Sequence, residues 1–142
     1  MKYLCIDYGK KKVGIATSDD GGEMAFPCMV LENNKVLIVE IKQLCKELKI
    51  GAIVVGESVD QNGKPNTIAK DARAFAVQLE DTLDLPLYFE KEWMTSVHAR
   101  VMQEGKEVVD DSAAALILQR HLDKKNKVVA QDEGLPEEED SE

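Results

Sequence analysis

The chain has 142 residues, of which 44% are hydrophobic and 32% are charged. These values are ordinary for one globular domain with a core of its own. No apolar run approaches the roughly 20 residues of a membrane-spanning helix, and no cleavable signal pattern opens the sequence. We therefore expect a cytoplasmic protein without membrane contact. Cys5, Cys28 and Cys45 are far apart and form no CxxC pair, so neither a disulfide framework nor a zinc site is expected.

The net charge of −9 is concentrated near the end of the chain. From residue 131 onwards there are seven acids and no base, which leaves 20 acids against 18 bases in the rest. The acidity therefore does not exclude a nucleic-acid partner for the body of the protein. We predict one domain over residues 1–124 and an acidic, disordered tail over residues 125–142.

Hydrophobic periodicity predicts the elements of the first half. Two apolar runs, 1–6 and 13–17, are joined by a Gly-containing basic turn and predict an antiparallel hairpin. A third strand is predicted over 25–31. Leucines and an isoleucine at spacings of four, three and four predict a helix over 35–48, which Asn33 or Asn34 can cap.

The second half alternates strands and helices. The apolar run 52–55 is typical of a strand buried on both faces, and 56–58 is predicted to end it. A helix over 66–83 and a strand over 86–89 follow. A helix begins at Thr95 or Ser96 and runs to about residue 103, and a final helix covers 112–122. Antiparallel strands followed by βαβ crossovers predict an α/β fold with a mixed sheet flanked by helices.

Four acids fall at the predicted ends of elements, namely Asp7, Glu57, Glu92 and Asp110. An acid at the end of a buried strand needs a cationic partner or a metal to stay charged. Clustered carboxylates suit Mg²⁺ or Mn²⁺, and one or two such ions can promote phosphodiester hydrolysis. Ligands of open α/β sheets bind beyond the carboxyl ends of the strands, which makes convergence of these acids reasonable.

The stretch 7–19, DYGKKKVGIATSD, resembles the opening motif of the YqgF (RuvX-like) nucleases, a branch of the RNase H superfamily. The segments 54–56, 69–79, 92–99 and 109–119 resemble later blocks of the same family. The resemblance covers residues 1 to about 123. It implies an RNase H-like fold with a five-stranded mixed sheet, and a metal-dependent nuclease that processes the 16S rRNA precursor during ribosome biogenesis. Holliday-junction resolution is the older suggestion for the same fold.

The sequence departs from the family at two of these blocks. Gly56-Glu57-Ser58 stands where the family usually has Gly-Leu-Pro, and Lys91-Glu92-Trp93 stands where it has Asp-Glu-Arg. The related RuvC-type resolvases have a catalytic glutamate near the first position. We therefore predict that Glu57 shares or takes over the ligand role of the Glu92 position, with Asp7, Glu57 and Asp110 as the metal set. Asp111 is the alternative to Asp110, either as a helix cap or as a reserve ligand.

Basic and aromatic residues are the candidate substrate contacts. Lys10, Lys11 and Lys12 form either a solvated turn or a set of phosphate contacts, and the family's basic turn implies the latter. Arg73 is a candidate phosphate contact or a surface ion pair. Trp93 can stack on a base, or it can be a packing residue.

Three classes of function remain open. The first is the metal-dependent nuclease, acting on structured RNA or on branched DNA. The second is a non-catalytic nucleic-acid-binding module with the same fold. The third is a phosphate-binding fold of the actin and sugar-kinase kind. That architecture contains two copies of the domain, and 142 residues are enough for only one. A monomer suffices for RNA processing, whereas paired cuts in a junction require a homodimer.

Overall fold

The structure is a computed structural model that describes residues 1–59, 62–64, 66–93 and 111–134, apart from the side chains of Trp93 and of residues 128–134. The strands of this part are β1 (Tyr3–Tyr8), β2 (Lys12–Ser18), β3 (Ala25–Glu32), β4 (Ala52–Val59) and β5 (Leu87–Trp93). Its helices are α1 (Leu37–Leu48), α2 (Thr67–Leu83) and α3 (Asp111–Gly134).

The strands form one five-stranded sheet in the order β3-β2-β1-β4-β5. β2 pairs antiparallel with both β1 and β3, and a bulge interrupts its pairing with β3 between Ile15 and Ala16. β4 pairs parallel with both β1 and β5. This mixed sheet confirms the α/β class and the predicted order of antiparallel strands before crossovers.

Each face of the sheet carries its own apolar core, because side chains alternate between the two faces along a strand. Leu4, Ile6, Ile53 and Val55 point to the face covered by α1 and α2. Their neighbours point to the other face, where they pack on the α3 side chains; the residues of this second core are Tyr3, Cys5, Ala16, Ala52, Val54, Ala114, Ile117, Leu118 and Leu122. Any residue of β1 or β4 can therefore be assigned to a face by its position.

No cap was predicted for α2, and the cap predicted for α1 from Asn33 or Asn34 is wrong. Asn66 caps α2, and its side-chain oxygen accepts a hydrogen bond from the Ala69 amide at 3.0 Å. α1 begins at Leu37 without a side-chain cap bond, although Asn34 Oδ1 accepts a bond from the Val36 amide just before it at 3.1 Å. Asn33 has a different role in the turn after β1, which is described below.

Three predicted element ends were wrong. β4 continues through residues 56–58 to Val59, and β5 continues from Phe89 to Trp93. α3 continues past Leu122 to Gly134. The helix predicted from Thr95 or Ser96 lies outside the described residues. Within the described part, no helix is both long and apolar enough to span a membrane.

Candidate functional site

Asp7 is the penultimate residue of β1 and lies on the face covered by α3. It follows Cys5 in the alternation, and Cys5 belongs to the α3-side core. On β2 its partner in the pairing is Gly14. Asp7 is only 7% exposed, so its carboxylate is held in a largely buried position near the carboxyl end of the strand. The sheet thus fixes the direction in which this acid points.

Glu90 and Glu92 of β5 point to the same face as Asp7. Phe89 of β5 packs with the core on the α1/α2 side of the sheet. Its two neighbours in the strand therefore point to the other face. The contacts of Glu90 agree, because its carboxylate binds two α3 side chains, Lys124 Nζ at 2.6 Å and His121 Nδ1 at 3.2 Å. Glu90 pairs across the strands with Gly56, and Glu92 pairs with Ser58, two residues nearer the carboxyl end.

The pKa of the Cys5 thiol depends on the negative charges on this face. Burial raises its pKa well above the ordinary value, and the negative charges of Asp7, Glu92 and Glu90 raise it further. The three acids are therefore close enough to act on one buried group. Lys124 offsets the charge of Glu90, and His121 Nδ1 lies 3.2 Å from the other carboxylate oxygen. Carboxylates held near one another repel, and a bound cation relieves the repulsion.

Glu57 lies on the opposite face from Asp7. It alternates with Ile53 and Val55, which belong to the α1/α2-side core. If the pairing of Ile6 with Val55 is continued along the strands, the β4 residue beside Asp7 is Gly56. Glu57 was predicted to end its strand and to join Asp7 on a metal. It instead lies inside β4, and the sheet separates the two side chains.

The carboxylate of Glu57 is bound by Arg73 of α2. Glu57 Oε2 accepts a hydrogen bond from Arg73 Nε at 2.6 Å and also contacts Nη2 at 2.5 Å. The Glu57 side chain is 5% exposed, whereas that of Arg73 is 52% exposed. The guanidinium also lies over the Phe89 ring, with its carbon 4.3 Å from the ring centroid. Of the two predicted roles of Arg73, the ion pair is therefore present.

Lys10 and Lys11 lie in the turn between β1 and β2, Lys12 is the first residue of β2, and all three are exposed. Asn33, just after β3, braces this turn. Its side-chain amide donates to the Gly9 carbonyl at 2.7 Å, and its backbone amide donates to the Lys11 carbonyl at 2.8 Å. The positive charges are therefore carried by a turn of fixed geometry beside the acid.

Two of the predicted site residues cannot be placed. Asp110 lies outside the described residues, although its neighbour Asp111 begins α3. Trp93 is the last residue of β5, and its side chain is not described. The charge of Asp111 contributes to the raised pKa of Cys28, after burial, so the start of α3 lies near β3.

Binding of a divalent cation would depend on the oxygen ligands that side chains on the α3-side face provide. Within the described part of the chain, no group of three or more His, Cys, Asp and Glu side chains is placed to hold a metal. Asp7 and Glu92 nevertheless offer carboxylate oxygens, the ligands that Mg²⁺ and Mn²⁺ prefer. In the chemistry of their donor atoms, these two acids are therefore compatible with such an ion.

Glu90 is the acid that the sequence reasoning missed. The strand was predicted to stop at Phe89, and Glu90 was not considered as a site residue. The available signal was the alternation itself: continued past Phe89, it places Tyr88, Glu90 and Glu92 on one face.

Comparisons with known proteins agree with this architecture. The profile of the family described as "RuvX: Holliday junction resolvase" matches residues 1–124. A protein of Nitratidesulfovibrio vulgaris named "Putative pre-16S rRNA nuclease" is 35% identical over 132 residues, which cover 86% of this chain and 93% of the relative. A relative of the same name from Thermoanaerobacter pseudethanolicus is 34% identical over 139 residues, which cover 89% of this chain and 100% of the relative.

Among solved structures, RuvC of Thermus thermophilus superposes with a TM-score of 0.57 at 12% identity, covering 89% of this chain and 97% of that one. At that identity the similarity establishes the fold, which is the predicted RNase H-like fold. The sequence matches go further, since they extend over most of the chain and over nearly the whole of each relative. The chain belongs to the RuvX family.

Proposed function

We propose that this protein is a divalent-metal-dependent nuclease that hydrolyses phosphodiester bonds in the precursor of 16S rRNA, in the cytoplasm. The names of its relatives support the substrate. The observation that carries the proposal is the position of Asp7 and Glu92, two acids of different strands that point to one face near the carboxyl end of the sheet.

We assign the metal set to Asp7, Glu92 and Asp110. Asp7 and Glu92 share a face, and Asp110 directly precedes α3, the helix that covers this face. Glu57 is left out of the set because it points to the other face and is bound by Arg73. When bound, Mg²⁺ or Mn²⁺ supplies positive charge that polarises the attacking water and stabilises the phosphorane-like transition state.

The protein's own residues bind the substrate around this centre. Lys10, Lys11 and Lys12 contact backbone phosphates next to the scissile bond, because the braced turn carries them beside Asp7. Trp93 follows Glu92 directly and provides an aromatic surface for an unpaired base. Glu90, held by Lys124 and His121, ties β5 to α3 and so fixes the strand that carries Glu92.

Cleavage of a labelled structured RNA from the 16S precursor tests the proposal. We expect cleavage with Mg²⁺ or Mn²⁺ and none with EDTA, and a loss of about 100-fold or more in Asp7→Asn and Glu92→Gln, because each removes a charged ligand. Glu80→Gln, which neutralises an exposed acid of α2, is the matched control and retains activity. Metal-independent cleavage, or full activity of Asp7→Asn, contradicts the proposal. A folded protein that binds the RNA without any cleavage would be the non-catalytic module.

Branched DNA is the second candidate substrate, favoured by the description of the family. A four-way DNA junction assayed beside the RNA distinguishes the two substrates. Symmetric paired cuts would require two active sites, so the oligomeric state in the presence of the junction is measured in the same experiment. A monomer that cleaves only the RNA argues against junction resolution.

A further inference from the structure

We infer that Glu57 is a positioning residue, which holds Arg73 in place to bind a phosphate of the nucleic acid on the sheet face opposite to the metal ligands. The inference rests on the proposed function, because it assumes a nucleic-acid substrate. It gives the protein a further contact with that substrate, separate from the metal ligands, the lysines and Trp93. Glu57 acts only through Arg73 and does not itself touch the substrate.

Glu57 and Phe89 together hold the Arg73 side chain. One edge of the guanidinium, Nε and Nη2, is bound by Glu57, and one face lies on the Phe89 ring. Because the side chain is still 52% exposed, the remaining edge faces solvent. A guanidinium held on one edge and one face keeps a single orientation, and a planar fork of fixed orientation is suited to a phosphate.

Burial of the Glu57 carboxylate is energetically unfavourable. A carboxylate whose side chain is 5% exposed inside a strand is unfavourable without a charged partner. A salt bridge alone is weak evidence of stabilisation, because apolar pairs often serve a fold as well or better. Positioning of an exposed cation accounts for the presence of a buried acid in β4.

Glu57 lies near the carboxyl end of β4, which runs parallel to β1. Continuing the pairing of Ile6 with Val55 places Glu57 beside Tyr8, the residue after Asp7. Tyr8 packs against Phe75 of α2, with ring centroids 5.0 Å apart. The lysine turn follows Tyr8 directly. A strand of nucleic acid that crosses this end of the sheet can therefore meet the acids on one face and Arg73 on the other.

Binding without cleavage tests the inference. The probe is a fluorescein-labelled structured RNA from the 16S precursor, with the four-way DNA junction in parallel, titrated with the full chain in EDTA at several KCl concentrations. Glu57→Gln removes a negative charge, so simple electrostatics predicts equal or tighter binding. Positioning predicts the opposite sign: the dissociation constant rises about fivefold to tenfold, because Arg73 loses its charge-assisted hydrogen bond.

Three further variants complete the test. Arg73→Gln weakens binding and lowers the slope of log K against log salt by about 0.7 to 0.9, the value for one lost phosphate contact. The double variant Glu57→Gln/Arg73→Gln binds like Arg73→Gln alone, because Glu57 acts through Arg73. Arg73→Lys keeps the charge but loses the fork, and it also binds more weakly. Lys42→Gln removes an exposed cation of α1 and is the matched control for net charge.

The outcomes separate this inference from the proposed function. Wild-type or tighter binding by folded Glu57→Gln overturns it, as does wild-type binding by Arg73→Lys if Glu57→Gln does not fold. Full additivity in the double variant also overturns it. Those results leave metal-dependent cleavage untouched. If the protein shows the Glu57–Arg73 coupling in binding but does not cleave, the proposed function is contradicted and this inference stands.

Discussion

Metal binding to the α3-side face should raise the stability of the fold, and the effect should depend on Asp7 but not on Glu57. A ligand that binds only the folded state at 100 times its dissociation constant stabilises that state by about 2.7 kcal/mol. For a chain of 142 residues, this corresponds to a rise of about 10 °C in the melting temperature. Asp7→Asn removes a charged oxygen ligand and should lose most of the shift.

Thermal unfolding in EDTA and in increasing MnCl₂ measures this shift directly. In EDTA, Asp7→Asn should be at least as stable as the wild type, because the substitution removes one charge from a face shared with Glu92 and Glu90. Glu57→Gln lowers the baseline, since Arg73 loses its charged partner, but it should keep the full Mn²⁺-induced rise. A rise that survives Asp7→Asn, or one that Glu57→Gln abolishes, would refute the assignment of the metal to this face.

Three further predictions concern packing, the buried acid of β5 and the thiols. Leu118 of α3 is fully buried, so Leu118→Ala should lower the free energy of unfolding, measured in urea, by about 3 kcal/mol. Leu116 of the same helix is 70% exposed, so Leu116→Ala should change that free energy by less than about 0.5 kcal/mol. Equal effects would contradict the placement of the helix. Lys124→Met should cost about 1 kcal/mol after allowance for its exposure, because Glu90 loses a charged partner, and Lys127→Met should cost nothing measurable. Burial raises the pKa of Cys45 to about 11. Native protein at pH 8 should therefore react with iodoacetamide at Cys28 before Cys45, and labelling of Cys45 should increase as the pH approaches 11. Rapid labelling of Cys45 at pH 7 would contradict its burial.

The local parts of the fold were predictable from the sequence. The hairpin of β1 and β2 follows from two apolar runs around a glycine-containing turn, and α2 follows from the amphipathic run predicted over 66–83. In each case the deciding residues lie within a few positions of one another. The signals are therefore visible in a short window.

The ends of β4 and β5 were not predictable in the same way. Glu57 has the polarity of a loop residue, and its place in a buried strand depends on Arg73, sixteen positions later. Glu90 likewise depends on Lys124, thirty-four positions later. A charged residue inside a strand can be recognised only when its distant partner is known, so the face of Glu57 and the role of Glu90 needed the structure.

The final helix was predicted too short for a related reason. Its apolar periodicity stops at Leu122, but polar contacts hold the next turn, including a hydrogen bond from the Asn126 side chain to the Gly22 carbonyl at 3.2 Å. Such contacts leave no periodic signature in the sequence. The prediction from hydrophobicity alone therefore ended where the apolar stripe ended.

Gly56 lets a side chain of α3 pack directly on the backbone of the sheet. A methyl group at this position would come within 2.9 Å of Ile117 Cδ1, so the isoleucine rests against bare backbone between the strands of Asp7 and Glu90. An alanine there would require only the end of the Ile117 side chain to rotate, because the other two contacts, at 3.6 and 3.8 Å, are ordinary ones. Substitution of Gly56 therefore offers a way to change how α3 packs on this face without altering any of its acids.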